Sequence, residues 1–556
     1  MKKLVSLFLL LGVILLGVAW WPKNRATIYS GGLIYPKADT EPVEAVVVKD
    51  GIFSYVGSLD GAFTVAGRGK YKYVDLQGRM MLPSFFEAHA HPNLAVLFDL
   101  RDLPYAGSVP TPEEYVAHIR EYLKKHPEMK ALRGTGWDNA AFPDTPPNKA
   151  LLDTISTEIP IFLLSFDQHS AWVNSKALEL GKITRDTPGP IEHDASGKPS
   201  GTLRDEAALL VHAALPPMSV EENKELILKY QAMAHRMGIT GHMNALVLPR
   251  DNLYVAYREL HNEGKLAMYT QLAFRVTQET YLDELEWIAS EPTDDFLGVR
   301  FAKFFMDGAI LGQTAYLLED YATRPGYRGE PLWTVDALRD AFRLCEAKGL
   351  RIHVHAVGDG ATRLALDGLE AVKTPNRHAI THLILVNPAD IVRFHTMDVI
   401  ATLNPYWFCK SAVFADSELK QLGPERAATM FPAKSFYDAG VKVTAASDYP
   451  VSVPNPLIGL EMAVTRTLIP PWRGGRTAEE CILNHPEAIS KKQALDAFTL
   501  SAAYAYGLDA ITGSIEPGKS ADFILLDKNI LQTAPSEAKV LETWFRGKQV
   551  YCRLQP

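Results

Sequence analysis

Two histidines separated by a single residue are the first feature of the sequence that could support catalysis. His89 and His91 end the apolar run MLPSFFEAHAH at residues 81–91. If this run is a strand, side chains two positions apart point to the same side, so both imidazoles face one way. Two such imidazoles can bind one divalent cation, although an H-x-H pair by itself is weak evidence for a metal site.

Further candidate metal ligands lie at or near the ends of later apolar runs. His355 lies near the end of RIHVHAVGD, His382 lies in HAITHLIL, and Asp448 lies near the end of VKVTAASDYP. Histidine and carboxylate ligands suit Zn²⁺ or a similar transition metal. Each residue could instead be a hydrogen-bonded core residue, and it is their joint placement that favours a metal site.

A lysine lies in the middle of another apolar run, RFAKFFMDG. Lys303 is surrounded in sequence by Phe301, Phe304 and Phe305, and burying a charged ammonium among aromatic rings is costly. Either the lysine extends its charged end to solvent, or it is a neutral amine that captures CO₂ as an anionic carbamate. Such a carbamate could bridge two metal ions, which lie about 3.5–4 Å apart in dinuclear sites.

Eight short apolar runs, separated mostly by helix-like segments, carry these residues. The runs occupy residues 81–91, 238–244, 267–276, 298–308, 351–359, 378–385, 398–405 and 441–450. Strands that alternate with helices predict a parallel sheet, and eight such units predict an α/β protein with a (β/α)₈ TIM barrel. Active-site residues of these barrels come from the C-terminal ends of the strands, where the candidate ligands lie.

The remaining segments predict the domain organisation. Residues 26–80 and 507–556 contain short strand-like runs punctuated by Gly, Pro and Asp. These runs predict meandering antiparallel strands and one small β-sandwich built from both ends of the chain. The hydrolase barrel then takes residues 81–506. Residues 93–237 are too many for one βα connection and are predicted to be an insertion on the catalytic face.

The N-terminal segment predicts export from the cytoplasm. Residues 4–21 contain no charged residue and follow Lys2 and Lys3. As a helix they would span roughly 27 Å, close to the thickness of a bilayer core. Residues 1–25 are therefore predicted to be a signal or membrane anchor, with a buried core helix as the alternative. The rest of the chain is then expected to be extracytoplasmic, anchored by this helix if it is uncleaved, or secreted if it is cleaved.

The composition is typical of a globular enzyme. The chain has 556 residues, of which 47% are hydrophobic and 22% charged, and its net charge is −8 without a Lys/Arg block. This distribution predicts no nucleic-acid surface and favours a small-molecule substrate. Four cysteines form no C-x-x-C pair and predict neither a zinc nor a redox motif. The sequence leaves a disulfide and a homodimer open.

Several stretches resemble one enzyme family. MLPSFFEAHAHP resembles the first-strand motif of the amidohydrolase superfamily, and SDYP resembles its eighth-strand aspartate motif. More narrowly, the chain resembles the YtcJ-like branch, the Amidohydro_3 family. The matching stretches are GTGWD (134–138), SFDQHSAWVNSKAL (165–178), KFFMDGAILGQTA (303–315), HVHAVGD (353–359), the LG-x-ER run (422–426) and EPGKSADFILLD (516–527). Ser84 and Glu87 replace the usual Gly and Asp of the first motif, and the Glu87 replacement is expected to keep the charge.

The resemblance implies two divalent transition-metal ions, with Zn²⁺ favoured, and a CO₂-derived carbamate. The resemblance implies that the first metal is bound by His89 and His91 and the second metal by His355 and His382. It also implies that carboxylated Lys303 bridges the metals and that Asp448 is both a ligand and the general base. A mononuclear site with an unmodified Lys303 is the alternative.

The insertion supplies candidate substrate contacts, because the family places this region over the barrel mouth. Trp137, Asp138, His169 and Trp172 are predicted to bind substrate, together with Asp167. A local packing or capping role is the alternative for each of them.

Five other polar residues receive separate predictions. His353 lies one layer deeper than His355 and is interpreted as a residue behind the ligands or in the core. His242 is expected to pack or to line the mouth, and Asp307 to shape the site. Arg324 and Arg377 are further polar candidates for substrate contact.

The predicted reaction is hydrolysis of an amide-like C–N bond in an N-acyl, N-formyl or cyclic amide. A divalent ion lowers the pKa of water to about 7, and the hydroxide attacks the substrate carbonyl. Asp448 takes the proton of the water and returns it to the leaving nitrogen. Deamination of a ring C=N bond or cleavage of a lactone or ester uses the same site. A non-catalytic extracytoplasmic binding or regulatory protein on the same scaffold is a further alternative.

Overall fold

The computed structural model describes residues 26–67, 71–94, 98–99, 110–137, 141–142, 146–165, 170–310, 312–374, 376–410, 415–473 and 475–553. These residues form two compact units. The barrel unit lies within Met1–His91, Tyr230–Pro249 and Leu260–Pro556, and the inserted unit lies within Pro92–Lys229 and Arg250–Glu259.

The strands are numbered here in chain order. They are Ala26–Ile34 (β1), Val43–Lys49 (β2), Ile52–Gly57 (β3), Tyr71–Asp75 (β4), Met80–Pro83 (β5), Phe85–Ala90 (β6), Phe98–Asp99 (β7), Leu132–Trp137 (β8), Ile161–Ser165 (β9), Ser170–Val173 (β10), Ile191–His193 (β11), Pro199–Arg204 (β12), Ile239–Val247 (β13), Tyr269–Arg275 (β14), Leu297–Phe305 (β15), Arg351–Ala356 (β16), Ala379–His382 (β17), Ile400–Leu403 (β18), Val443–Ala445 (β19), Phe523–Leu526 (β20), Val540–Phe545 (β21) and Lys548–Cys552 (β22).

The α-helices lie mostly between these strands. They are Leu59–Ala66, Pro112–Lys125, Lys149–Asp153, Ser175–Leu180, Asp205–Ala214, Val220–Arg236, Asn252–Asn262, Tyr281–Ser290, Val335–Ala347, Asp359–Leu369, Pro388–Thr396, Ala415–Leu422, Pro424–Ala427, Ala433–Asp438, Pro456–Thr465, Lys491–Ala497 and Leu500–Tyr506.

Eight parallel strands form a nearly closed barrel in the barrel unit. Their order is β19-β18-β17-β16-β15-β14-β13-β6, so chain order and spatial order agree around the ring. Because parallel strands are covered on both faces, they are continuous apolar runs, and seven of the nine residues of β15 are buried. The predicted (β/α)₈ barrel is confirmed, and each of the eight predicted runs contains or overlaps one of its strands.

Backbone hydrogen bonds at the C-terminal ends of the strands bring the first and eighth strands together. The Asp448 N–H donates to the His89 carbonyl over 3.0 Å, and the His91 N–H donates to the Tyr449 carbonyl over 2.6 Å. A side chain adds a third link, because the Ser447 N–H donates to Glu87 Oε1 over 2.8 Å. The two ends of the barrel sequence are therefore joined where the candidate ligands lie.

Strands from both ends of the chain share a second sheet in the barrel unit. Its order is β22-β21-β20-β5-β1-β2-β3, and β4 pairs with β1. The sheet is mixed, because β1 pairs in parallel with β4 and with β5, so the predicted antiparallel meander is wrong in this part. Aromatic residues fill one of its faces, where Tyr29, Phe523 and Trp544 contact one another. The domain boundaries inferred from the sequence stay predictions.

The inserted unit contains its own sheet and its own core. Six strands follow the order β11-β12-β10-β9-β8-β7. Helix Pro112–Lys125 begins with a capping box in which Thr111 and Glu114 satisfy each other's backbone N–H groups. Its buried face, which includes Tyr115 and Ile119, packs in one cluster with Trp137 and Trp172.

The predicted location of the protein needs a correction. None of the helices among the described residues is long and apolar enough to cross a membrane. The longest, Val220–Arg236, has 17 residues and carries charged side chains along its length, whereas a membrane span needs about 20 mostly apolar residues. This finding contradicts the predicted extracytoplasmic, membrane-anchored location. The apolar segment on which that prediction rested, within residues 1–25, lies outside the described residues.

Candidate metal centre

The two histidines of the H-x-H pair converge as the strand alternation predicts. His89 lies in β6, and His91 follows the last residue of that strand. Their Nε2 atoms are 3.2 Å apart and their ring planes are almost perpendicular, at 88°. Both side chains are buried, so the two nitrogens meet inside the protein.

Asp448 reaches the same point from the opposite end of the barrel sequence. Its Oδ1 lies 3.0 Å from His91 Nε2 and 3.5 Å from His89 Nε2. Asp448 has a φ of 59°, a left-handed backbone conformation that a residue other than glycine adopts only at a cost on the order of 1–3 kcal/mol. The backbone hydrogen bond to His89 holds it there, so the fold maintains an unfavourable conformation that aims the carboxylate at the histidines.

Lys303 lies inside the barrel and is fully buried. Its Nζ is 3.4 Å from His89 Nε2 and 4.8 Å from the centroid of the Phe305 ring. The expectation that it could extend to solvent is therefore wrong. Burial lowers the pKa of Lys303 to about 7, against the opposing influence of Asp448. An amine with this pKa is about half neutral at pH 7 and mostly neutral above it, and the neutral form is the one that reacts with CO₂.

His382 and His355 form a second pair beside the first. Their ring centroids are 4.5 Å apart. One ligand atom each of His382, His89 and Asp448 lie within 4.8 Å of one another. His382 also has a left-handed backbone, with a φ of 80°. His355 is not part of that trio, and its Nε2 lies 3.1 Å from the Gly308 carbonyl oxygen. The structure therefore places His382 beside His89 and Asp448, and His355 next to His382.

Several residues behind the ligands orient them. His353 Nε2 is 2.7 Å from His89 Nδ1 and 3.1 Å from Thr381 Oγ1. His382 Nδ1 lies 3.0 Å from Asn404 Oδ1, and its ring stacks on Trp407 at 5.5 Å. Bonds of this kind fix the ring tautomer and leave the other nitrogen available for a metal. Sequence reasoning missed Asn404, which directly follows the seventh strand, and Trp407, which ends the short 3-10 helix Pro405–Trp407 after it.

Burial keeps the imidazoles neutral. It is the largest cause of the lowered pKa values of His89, His353 and His382, which lie well below the usual range, and Lys303 lowers each of them further. The pKa of His355 is lowered to about 3 for the same reasons. Neutral imidazole is the form that binds metal ions, so these side chains are ready to bind a cation at neutral pH.

Two buried carboxyl groups accept hydrogen bonds from the backbone around the site. Glu87 Oε1 accepts N–H groups from Ser447 and His89, and burial raises the pKa of Glu87 to about 8. Burial therefore opposes the expected retention of the negative charge at this position. Asp307 accepts the N–H groups of Tyr316, Val357 and Gly358 over 2.9–3.0 Å, and so holds the loops around His355.

The donor atoms suit one small divalent cation. Zn²⁺ binds nitrogen and oxygen at about 2.0–2.2 Å, so two atoms of a tetrahedral ligand set lie about 3.3–3.5 Å apart. The distances among His89 Nε2, His91 Nε2, Asp448 Oδ1 and Lys303 Nζ that were given above are 3.0–3.5 Å. Two imidazoles, a carboxylate and an amine fit this metal in type and in spacing.

The candidate substrate residues of the insertion are only partly described. Trp137 and Trp172 are fully buried in the core of the inserted unit. Their indole N–H groups donate to the carbonyls of Leu163 and Asn148, each over 2.8 Å, so the structure favours the packing alternative for both. Asp138, Asp167 and His169 lie outside the described residues.

The other polar candidates lie elsewhere in the barrel unit. Arg377 precedes β17 and binds the Tyr504 carbonyl and Asp509, at the end of the barrel opposite the ligands, which argues against substrate contact. Arg324 is exposed and lies over the ring of Tyr327 at 3.9 Å. His242 is buried with its ring 5.0 Å from that of Tyr230, which agrees with a packing role.

A cavity of about 440 Å³ opens beside these ligands. His355, His382 and Asp448 form part of its wall, and most of the remaining wall is apolar. A cavity of this size suits a small organic molecule.

Comparisons with known proteins show the family to which the chain belongs. The model of the Amidohydrolase family, Amidohydro_3, matches residues 72–551, and the chain belongs to this family. It is 27% identical over 543 residues to the putative amidohydrolase YtcJ of Bacillus subtilis, which covers 94% of this chain and 99% of that relative. It is 26% identical to the N-substituted formamide deformylase of Arthrobacter pascens over 92% of this chain and 95% of the relative.

Solved structures show the same fold. A crystal structure of an uncharacterised metal-dependent hydrolase from Pyrococcus furiosus covers 91% of this chain and 100% of its own, with a TM-score of 0.75 and 24% identity. The protein is a metal-dependent hydrolase of the amidohydrolase superfamily. The family inferred from the sequence motifs is confirmed.

Proposed function

We propose that the protein hydrolyses a non-peptide amide-like C–N bond, in an N-acyl, N-formyl or cyclic amide. The main support is the convergence on His89, whose Nε2 lies 3.2 Å from His91 Nε2, 3.4 Å from Lys303 Nζ and 3.5 Å from Asp448 Oδ1. The similarity to a formamide deformylase along almost its whole length adds support for a bond of this kind.

In this proposal two divalent ions, with Zn²⁺ favoured, are held by the strand ends. His89 and His91 would hold the first, and His355 and His382 would hold the second. The neutral amine of Lys303 would attack CO₂, forming an N–C bond and losing a proton to solvent, and the resulting carbamate would be a further anionic ligand for the ions. When bound, such ions acidify a water molecule and polarise a carbonyl oxygen.

Asp448 carries the proton in this reaction. It accepts a proton from the attacking water and returns it to the nitrogen that leaves, as a general base and then a general acid. Its side chain is 10% exposed and borders the cavity, so a substrate can reach it. The strained backbone and the bond to His89 keep the carboxylate oriented, which reduces the reorganisation needed during the reaction.

His353 and Asn404 position the ligands rather than touch the substrate. The His353 bond to His89 Nδ1 leaves His89 Nε2 directed at the metal site, and Asn404 does the same for His382. The rings therefore need no reorientation when a metal or substrate arrives.

The experiment is a metal analysis of the full-length protein followed by a substrate panel. After purification with Zn²⁺ supplied, we expect about two ions per chain, and turnover of at least one class among N-acyl amino acids, N-formyl amines and hydantoins. Turnover of lactones or ring amines alone would contradict the amide assignment. A protein with neither bound metal nor turnover would support the non-catalytic binding or regulatory alternative.

A further inference from the structure

We propose that the cavity beside Asp448 receives an uncharged, apolar group of the substrate, aryl or branched alkyl, and that the site discriminates against amides carrying a carboxylate next to the scissile nitrogen. This inference rests on the proposed amide hydrolysis and specifies its substrate class. It is drawn from the chemistry of the cavity wall, from its rim and from the arrangement of the arginine behind it.

The wall offers apolar contacts and no cation from a side chain. Among the described residues that line the cavity there is neither a lysine nor an arginine, and the ionisable groups include His355, His382 and Asp448. Val357, Ile384 and Leu468 contribute aliphatic surface. In the part of this space away from the ligands, a substrate carboxylate would lose its hydration without a cationic side chain of the described lining residues to pair with, which is unfavourable.

Aromatic surface lies next to the ligands. Trp407 stacks on the His382 ring and lines the cavity beside Tyr406. The face of an indole favours an aryl or alkyl group and repels an anion, because its π electrons carry partial negative charge. Aromatic surface therefore adjoins the polar ligands at the part of the cavity nearest to the reacting atoms.

The rim of the cavity exposes large apolar side chains to solvent. Val451 and Val453, which follow Asp448, are 48% and 46% exposed, and Trp472 is 40% exposed. All three line the cavity. Apolar side chains grouped at the mouth of a pocket are typical of a ligand-binding surface, and here they extend the apolar wall outwards.

An arginine lies behind this wall, and backbone carbonyl groups bind its guanidinium. Arg466 is completely buried, and its guanidinium donates to the carbonyls of Leu483, Phe431 and Met430 over 2.9–3.2 Å. Leu483 and Phe431 line the cavity. The cation therefore braces the apolar wall and does not face the substrate.

The volume suits a group of moderate size. A cavity of about 440 Å³ lies within the range of pockets that bind small organic molecules. A phenylethyl or isoamyl group fits within this volume.

Matched substrates that differ by one carboxylate test the inference with the metal-loaded, full-length protein. The pairs are N-acetyl-phenylethylamine with N-acetylphenylalanine, and N-acetyl-isoamylamine with N-acetylleucine. We expect kcat/KM to be about 100-fold higher or more for the uncharged member of each pair. Equal or higher kcat/KM for the carboxylates would overturn the inference and leave the proposed amide hydrolysis intact.

A binding measurement separates this inference from the proposed function. The methyl ketone in which a methylene replaces the nitrogen of N-acetyl-phenylethylamine cannot be hydrolysed, and its binding can be followed by tryptophan fluorescence, with isothermal titration calorimetry as an independent measure. We expect tighter binding of this ketone than of its carboxylated counterpart. If no amide is hydrolysed but this preference is found, amide hydrolysis fails and the apolar cavity stands; if the preference is absent, the inference fails.

A charge placed at the rim should relax the discrimination. We expect Val453→Arg to raise the ratio of kcat/KM for N-acetylphenylalanine to kcat/KM for N-acetyl-phenylethylamine by about 10-fold or more, because the arginine supplies the missing cation. The control is Val392→Arg, which places the same charge on helix Pro388–Thr396 at a residue that is 58% exposed and does not line the cavity. The same change in both variants, or in neither, would contradict the assignment.

Discussion

His353 Nε2 lies 2.7 Å from His89 Nδ1, across the interior of the barrel from the fifth strand to the first. This contact determines which nitrogen of His89 faces the other ligands, and Thr381 Oγ1 holds His353 in turn over 3.1 Å. A ring that lies outside the ligand set therefore controls the orientation of a ring within it.

Replacing His353 by Asn should weaken metal binding. The variant removes the partner that fixes the His89 tautomer, and losses of this kind cost about 10–100-fold in metal affinity. The measurement is competition for Zn²⁺ with a chelator. His395→Asn, on the surface of helix Pro388–Thr396, is the matched control and should bind as the unmodified protein does. Unchanged affinity in His353→Asn would contradict the positioning role.

Replacing Lys303 by Ala should remove the bridge between the ions. We expect metal content to fall by about one ion per chain and kcat to fall about 100-fold or more. Because the missing group is a carboxylate-like anion, acetate or propionate added at high concentration should partly restore the metal content and kcat. Lys434→Ala, at an exposed lysine, controls for the loss of a positive charge. Normal metal content and turnover in Lys303→Ala would rule out the carbamate.

The loading of Lys303 with CO₂ should depend on pH in a definite direction. Its pKa is lowered to about 7, so the reactive neutral amine is dominant above pH 7 and falls about tenfold for each pH unit well below it. We expect metal-free protein to regain Zn²⁺ faster with bicarbonate present than without it, and the bicarbonate effect to diminish from pH 8 to pH 6. A reconstitution rate independent of bicarbonate would favour a mononuclear site with unmodified lysine.

Replacing Asp448 by Asn should separate proton transfer from metal binding. The amide keeps the size and one oxygen ligand but cannot accept a proton at neutral pH, so we expect nearly normal metal content and a kcat lower by a factor of about 100 or more. Metal analysis and steady-state kinetics check the two effects. Asp438→Asn, at an exposed carboxylate, is the control. Near-normal turnover in Asp448→Asn would exclude the general-base role.

Glu87 should make the metal-free protein less stable as the pH rises. Its pKa is raised from 4.5 to about 8 by burial, so the folded protein holds a proton that the unfolded chain releases. The stabilisation is fully present below pH 4.5 and is lost as the pH rises towards about 8. The glutamine of Glu87→Gln does not titrate. The urea midpoint of this variant minus that of the unmodified protein should therefore increase from pH 5 to pH 8. A difference independent of pH would show that Glu87 is ionised throughout.

A large part of the fold and of the family was accessible from the sequence. Continuous apolar runs such as that of β15 are produced by burial on both faces, and this is a local property that a single stretch of sequence displays. The alternation in His89-Ala90-His91 is equally local, and it predicted two nitrogens on one side of a strand that the structure places 3.2 Å apart. The motifs of the family also occupy short stretches, which is why the resemblance was visible without a structure.

Contacts between strands were decided by the tertiary structure. His89 and Asp448 lie 3.5 Å apart because the first and eighth strands close the barrel, and no local pattern encodes that distance. The same holds for the burial of Lys303, the bond from His353 to His89 and the raised pKa of Glu87, since each depends on neighbours from other strands. Trp137 and Trp172 lie inside the core of their own unit for the same reason: aromatic composition is a local feature, whereas the partner that an aromatic ring packs against is not.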